Sequence, residues 1–191
     1  MELGNWIGNS SKRIERRQTF GRKDGIKMGK INLVRIDDRL IHGQVMTKWS
    51  KGMGTNALYV IDNETAADDF MKEIYINTNS SSGLKIQVYS TTEVVDRWKE
   101  DQFGNDNVIL LFKTIAGVKE VVDTGVLPID KINVGGVSKK GDAVFVINTV
   151  AITPKDAEIL KEFENKGIEV FFQTVPDSKR VSLKDGLKAL K

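Results

Sequence analysis

The sequence predicts an α/β domain: three layers, with a mostly parallel sheet of about seven strands and helices on both faces. Three observations carry that expectation. Short β-branched runs alternate with amphipathic stretches of about ten to fifteen residues, the rhythm of right-handed strand–helix–strand crossovers. Some runs, such as Val108 to Phe112, are apolar at every position, as strands covered on both faces are. The chain has 191 residues, enough for one domain with a sizeable core.

In chain order, Ile31 to Ile36 reads as the first buried strand. Val45, Met46 and Trp49 mark one face of a short helix, and Gly52 and Gly54 stop it. Ala57 to Ile61 is the second strand, ended by Asp62 and Asn63. Ala66, Ala67, Phe70, Met71 and Ile74 recur at helical spacing, so one helix with that inner face is expected. Thr78 to Gly83 is a serine-rich turn and Leu84 to Tyr89 the third strand. Ser90 and Glu93 form a capping box for a helix through Val94, Val95 and Trp98. After the fourth strand, Val108 to Phe112, a helix carries Ile115, Val118, Val121 and Val122 inward. Lys131 to Val134 is the fifth strand and runs into Gly135 and Gly136. Ala143 to Val150 follows too soon for a helical crossover, so a sixth strand pairing antiparallel at an edge is expected. Pro154 suits the first turn of a helix that buries Ile159, Leu160 and Phe163 and ends at Gly167. Ile168 to Gln173 is the last strand, and Leu183, Leu187 and Leu190 suggest a closing helix packed back on the sheet. No internal repeat is visible.

Composition narrows the function classes. No run approaches the roughly 20 apolar residues of a membrane span. The N-terminus lacks the apolar segment of a secretory signal. With no cysteine, disulfides and cysteine-ligated zinc or iron–sulfur sites are excluded, and a cytoplasmic location fits. The net charge of +3 is unevenly placed. Residues 1–30 carry eight basic and three acidic groups, a surplus of five, which leaves 21 basic and 23 acidic groups in the remainder. The mildly acidic remainder argues against a nucleic-acid surface. Residues 1–29, polar and without periodicity, read as a disordered or appended tail, with residues 30–191 as the domain. The alternative for the tail is a basic arm that touches phospholipid or nucleic acid.

The chemistry concentrates after the first strand. His42 is the only histidine in the chain and falls between that strand and the first helix. In an open parallel sheet this is the rim where ligands collect. A helix opening near Gly43 offers free N–H groups to an anion, and Arg39 adds a guanidinium fork. An imidazole titrates at about 6.5 when unperturbed, so near neutral pH it is a competent nucleophile and leaving group. Asp37 or Asp38 can accept its second N–H and fix the tautomer. Together these residues suggest a histidine that carries a phosphoryl group. The plainer alternative is a histidine that caps a helix or packs a loop.

Further candidates lie along the same rim. Gly135 and Gly136 allow either a close backbone approach to a ligand or a tight turn at positive φ. They do not form a dinucleotide or P-loop fingerprint, so no cofactor is indicated. Lys113 either lends a cation or is a solvated strand-end lysine. Arg35 either approaches the anion or pairs with Asp37 or Asp62. Asp68 and Asp69 read as a solvated face, and Trp49 and Trp98 as core. One histidine with scattered carboxylates is poor material for a metal site.

The string RIDDRLIHGQV, Arg35 to Val45, followed by Trp49, resembles the signature of the mannose/sorbose-family enzyme IIB components of the bacterial phosphoenolpyruvate-dependent sugar phosphotransferase system. Ile132, Asn133, Val134, Gly135 and Gly136 resemble that family's glycine loop. The segments Lys166 to Val170 and Gln173 to Pro176 resemble its closing strand and turn, so the resemblance runs from about Lys30 to Leu190. It implies a protein-Nπ-phosphohistidine–sugar phosphotransferase without cofactor or metal. His42 would take the phosphoryl group from phospho-IIA, through Nδ1, and pass it to a sugar arriving through the membrane IIC and IID components. Arg39 and Asp37 would serve as catalytic partners, with Arg35, Gly43, Lys113, Gly135 and Gly136 around the phosphoryl group or sugar. The chain would then be cytoplasmic and held at the membrane by IIC/IID; which sugar it serves and whether it forms a homo-oligomer stay open. Two other classes remain. One is a non-catalytic anion-binding or regulatory α/β module; the other is a metal-free hydrolase using His42 as base.

Overall fold

The computed structural model describes residues 28–78 and 83–190. Most of the expected tail and part of the serine-rich turn lie outside the described residues. Among the described residues the main sheet has seven strands in the order β3-β2-β4-β1-β5-β8-β9. These are β1 (Lys30–Asp37), β2 (Ala57–Ile61), β3 (Lys85–Tyr89), β4 (Asn107–Phe112), β5 (Lys131–Gly136), β8 (Glu169–Phe172) and β9 (Val181–Ser182). The pairs from β3 to β8 are parallel, and β9 closes the far edge antiparallel. The first strand of the described residues is therefore the sheet's central one.

Two apolar layers flank the sheet. One joins Val34, Ile36, Phe112 and Phe172 to helices α3 (Thr91–Asp101), α4 (Ile115–Asp123) and α5 (Pro154–Asn165), through Val94, Val118, Leu160 and Phe163. The other joins Leu33, Leu58, Val60 and Ile86 to Val45 and Trp49, with Ala66, Tyr75 and Ile76 packed against it. The strands are buried from both sides, which is why they read as unbroken apolar runs. The expected capping box of Ser90 with Glu93 forms, the structure adds a second one of Thr153 with Asp156, and Pro154 opens α5.

Four expectations change. The single helix expected over Ala66 to Ile74 is two, α1 (Asn63–Ala67) and α2 (Asp69–Asn77). Asp68 is extended between them (φ −101°, ψ 100°), and its carboxylate caps α2 by accepting from Met71 N. The break rotates α2, so Phe70 (71% exposed) and Ile74 (44%) face outward rather than inward. The expected sixth strand divides into a hairpin, β6 (Val144–Ile147) and β7 (Val150–Ile152), separate from the main sheet. It turns at Asn148 and Thr149 because the Thr149 carbonyl accepts from Val137 N, pinning the turn beside β5. The helix after His42 is a π-helical turn, Val45–Trp49, followed by a 3-10 turn, Lys51–Met53. The closing helix is one short turn, α6 (Leu183–Gly186), continued as a 3-10 turn, Leu187–Leu190.

None of the described helices is long and apolar enough to cross a membrane.

Candidate functional site

The site begins with the alternation of β1. Leu33, Arg35 and Asp37 point to the face that Trp49 covers. Leucine there needs no comment, but Arg35 and Asp37 are both fully buried. Such charges persist only when paired and hydrogen-bonded. The Arg35 guanidinium donates through Nη2 to Asp37 Oδ2 (2.7 Å) and the Thr174 carbonyl (3.1 Å). Through Nη1 it donates to Asn133 Oδ1 and the Gln173 carbonyl. It also lies 5.0 Å from the centre of the Trp49 ring, whose indole N–H donates to the Thr174 carbonyl. Arg35 thus ties together the ends of β1, β5 and β8.

Room for this pair comes from Gly135 and Gly136. A β-carbon at Gly135 would coincide with the Arg35 guanidinium, and one at Gly136 would lie 2.6 Å from Asp37 Oδ1. The β1–β5 register slips here: Ile36 faces Val134 but Asp37 faces Gly136, so Gly135 is the extra residue of a bulge. The glycines are therefore the end of a strand, required for close approach to side chains.

Asp37 holds the next layer. Its carboxylate accepts from Arg39 Nε and Nη2, both at 2.9 Å, and from the Arg39 backbone N–H. Burial pushes its pKa upward, but the Arg39 hydrogen bonds and the nearby charges of Arg35, His42 and Arg39 outweigh it. The carboxyl stays below the usual carboxylate range. The same ionised partner raises the pKa of Arg39, whose side chain is 46% exposed at the rim. Two arginines converge on this carboxylate beside the histidine, and the charge of Asp38 also acts on Arg39.

His42 is 19% exposed. Its Nδ1 lies 3.0 Å from the Leu40 carbonyl, so that nitrogen carries the proton. Its Nε2 is buried without a hydrogen-bond partner, 3.7 Å from Asp37 Oδ2. Neither nitrogen offers an open lone pair, so attack on phosphorus requires the ring to turn away from the Leu40 carbonyl and out of the rim. That carbonyl is aimed by a left-handed backbone at the buried Leu40, φ 54°. For a bulky residue this is a strained conformation, of the kind that collects at functional loops.

Some other expected residues fall differently. Neither expected carboxylate takes the ring N–H: Asp38 accepts from Ser138 N at 2.7 Å instead. Gly43 is exposed and opens the helical segment, as expected: Gly43 and Gln44 are α-helical and run straight into the five π-helical residues Val45–Trp49. Lys113 stands at the rim after β4, but its ammonium goes to Glu64 (3.0 Å) and Asp62 (3.7 Å). Asp62 is also not the partner of Arg35; its Oδ2 caps α1 by accepting from Thr65. Trp49 and Trp98 are core residues as expected: Trp49 is buried and Trp98 packs edge-on against Phe103.

Sequence reasoning passed over Asn133, Gln173 and Thr174 as partners of Arg35. A polar Asn133 between the apolar Ile132 and Val134 was the available signal. No group of three or more acidic or histidine ligands able to hold a metal exists among the described residues.

A family model described as "PTS system sorbose subfamily IIB component" matches residues 31–191. The mannose-specific EIIAB component of Escherichia coli (strain K12) is 32% identical over 155 residues, 81% of this chain and 47% of that protein. The chain thus spans about half the length of the first curated relatives it matches. The sorbose-specific EIIB component of Lacticaseibacillus casei is 28% identical, with 76% of this chain and 87% of that protein covered. Among solved structures, manxB from Thermoanaerobacter tengcongensis is 38% identical with a TM-score of 0.77, covering 84% of this chain and 96% of that one. The IIBSor domain of the sorbose permease from Klebsiella pneumoniae is 26% identical with a TM-score of 0.76, covering 83% and 96%.

Proposed function

Because the chain belongs to the sorbose-subfamily IIB components of the phosphotransferase system, we propose that His42 carries a phosphoryl group from a IIA protein to a sugar. One observation supports this reading above the others. The single histidine lies at the C-terminal rim of the central parallel strand, beside Asp37 and the two arginines that hold it. A phosphoryl group in flight spreads negative charge over its oxygens, so fixed cations and exact placement do most of the catalytic work.

In the first step an imidazole nitrogen of His42, its ring turned outward, attacks phosphorus as the donor's N–P bond breaks. Arg39, exposed at the rim, neutralises the phosphoryl oxygens. Arg35 does not reach them; it is buried and holds Asp37. Asp37 keeps Arg39 in place, and Gly135 and Gly136 make room for the buried pair. In the second step a sugar hydroxyl attacks phosphorus, the His42 N–P bond breaks, and the hydroxyl proton is taken up by the departing imidazole. The resemblance implies Nδ1 as the nitrogen used, which means giving up the bond to the Leu40 carbonyl and holding the ring proton on Nε2 instead, the nitrogen that faces Asp37.

The relatives' names point to mannose, sorbose, fructose or N-acetylgalactosamine as the class of sugar. The donor would be a separate or fused IIA unit, as the EIIAB relative has. Membrane IIC and IID components would deliver the sugar and hold the chain at the cytoplasmic face.

The test is incubation with phosphoenolpyruvate, the general phosphotransferase proteins and a IIA protein. We expect one added phosphoryl mass, acid-labile and base-stable, that is absent in His42→Ala. An unmodified wild-type chain that still binds phosphate would instead make this an anion-binding module.

A further inference from the structure

The most costly residue in β5 is Asn133. It is fully buried in a parallel strand, between Ile132 and Val134, with Phe171 opposite on β8 and Arg35 opposite on β1. A buried amide in such a place is a net loss unless its hydrogen bonds are made. They are made in one direction only, toward the site. Asn133 Oδ1 accepts from Arg35 Nη1, and Nδ2 donates to the Gln173 carbonyl at 3.1 Å. That same carbonyl accepts from Arg35 Nη1. Asn133 therefore fixes both the guanidinium and the loop end that the guanidinium binds.

We propose that Asn133 is a positioning residue for the phosphoryl transfer assigned to His42 above. It touches neither the histidine nor any reacting atom. It acts through a chain of three contacts: Asn133 sets Arg35, Arg35 sets Asp37, and Asp37 sets Arg39 and faces the His42 ring. Each link is short, the two through Arg35 are buried, and the bulge at Gly135 gives the guanidinium one place to lie. An apolar residue at 133 would pack as well against the sheet but would leave Arg35 Nη1 one acceptor short. A small displacement of catalytic groups is enough to cost up to about 100-fold in rate.

Asn133→Asp is the informative variant. It keeps the shape and still accepts from Arg35, but its carboxylate competes with Asp37 for the guanidinium. Asn133→Ser is the second variant; it keeps an acceptor and loses the reach to the Gln173 carbonyl. The readouts are the rate of phosphoryl transfer from phospho-IIA at saturation, the KM for IIA, and the 15N spectrum of the His42 ring. Because the chain has one histidine, that spectrum has a single assignment. We expect the transfer rate to fall by about tenfold or more with KM unchanged, since residue 133 is buried away from any partner. The His42 15N shifts should move as its tautomer balance changes.

A folded Asn133→Asp with a rate within about twofold of wild type and an unchanged His42 spectrum overturns the proposal. If the wild type accepts no phosphoryl group, the function proposed above fails, and the His42 spectra still decide this one. If neither variant folds, the wild-type chain decides. Asn133 side-chain amide protons shielded from solvent exchange and coupled to Arg35 support it, and freely exchanging ones overturn it.

Discussion

Asp37 is the residue on which the site's charges meet. It is sealed from solvent, yet four N–H donors from Arg35 and Arg39 hold it below the usual carboxylate range. Its folded pKa is depressed, although burial alone would raise it. The unfolded carboxyl titrates near 3.9. Below that value the unfolded chain binds more protons than the folded one, so stability falls with pH. Asp37's contribution is thus complete above about pH 3.9 and lost as pH drops through its lower folded value. Asp37→Asn should lower stability by about 3 kcal/mol near neutral pH, because it strips the counter-charge from the buried Arg35. Its melting temperature between pH 2 and 5 should then fall less steeply than that of the wild type. An identical slope would mean that Asp37 is not held ionised by its neighbours.

At the scale of elements, the end of β5 carries the most constraint. The bulge there gives two successive positions over to the side chains of β1. Gly135→Ala should cost about 3 kcal/mol, measured by denaturant melting, and should lower phosphoryl acceptance even where the chain stays folded. Gly52→Ala is the control, since a β-carbon there meets nothing within 4 Å and the residue is outside the site.

The strands and the Ser90 capping box were legible because burial on both faces and local hydrogen bonding leave direct marks in sequence. The failures share a cause, which is that the deciding contact came from far along the chain or from one capping group. Asp68 ends one helix and starts the next, against a continuous apolar spacing. The Val137–Thr149 bond folds a run of strand-like residues into a hairpin. Arg35, His42 and the two glycines could be picked out by residue type. Their geometry could not, because Arg35 is bound by residues 98 to 139 positions away.

For the molecule as a whole, the sheet begins its own closure at its first described residues. Gly29 N donates to the Gln102 carbonyl and Lys30 N to the Asp106 carbonyl, which seats the start of β1. We expect a chain begun at Met28 to melt within about 2 °C of the full one and to accept a phosphoryl group equally well. Calorimetry and the mass assay together check this. A large loss in either would move the domain boundary upstream of residue 30.

The overlap between one side chain and the empty space above Gly135 also bears on how this sequence can change. Alanine at 135 displaces the Arg35 guanidinium from its partners, and shortening Arg35 alone leaves the Asn133 amide and a buried carboxylate without their cation. Each step is costly by itself. Over generations, positions 35 and 135 are therefore locked to each other, and relatives that differ at one should differ at both.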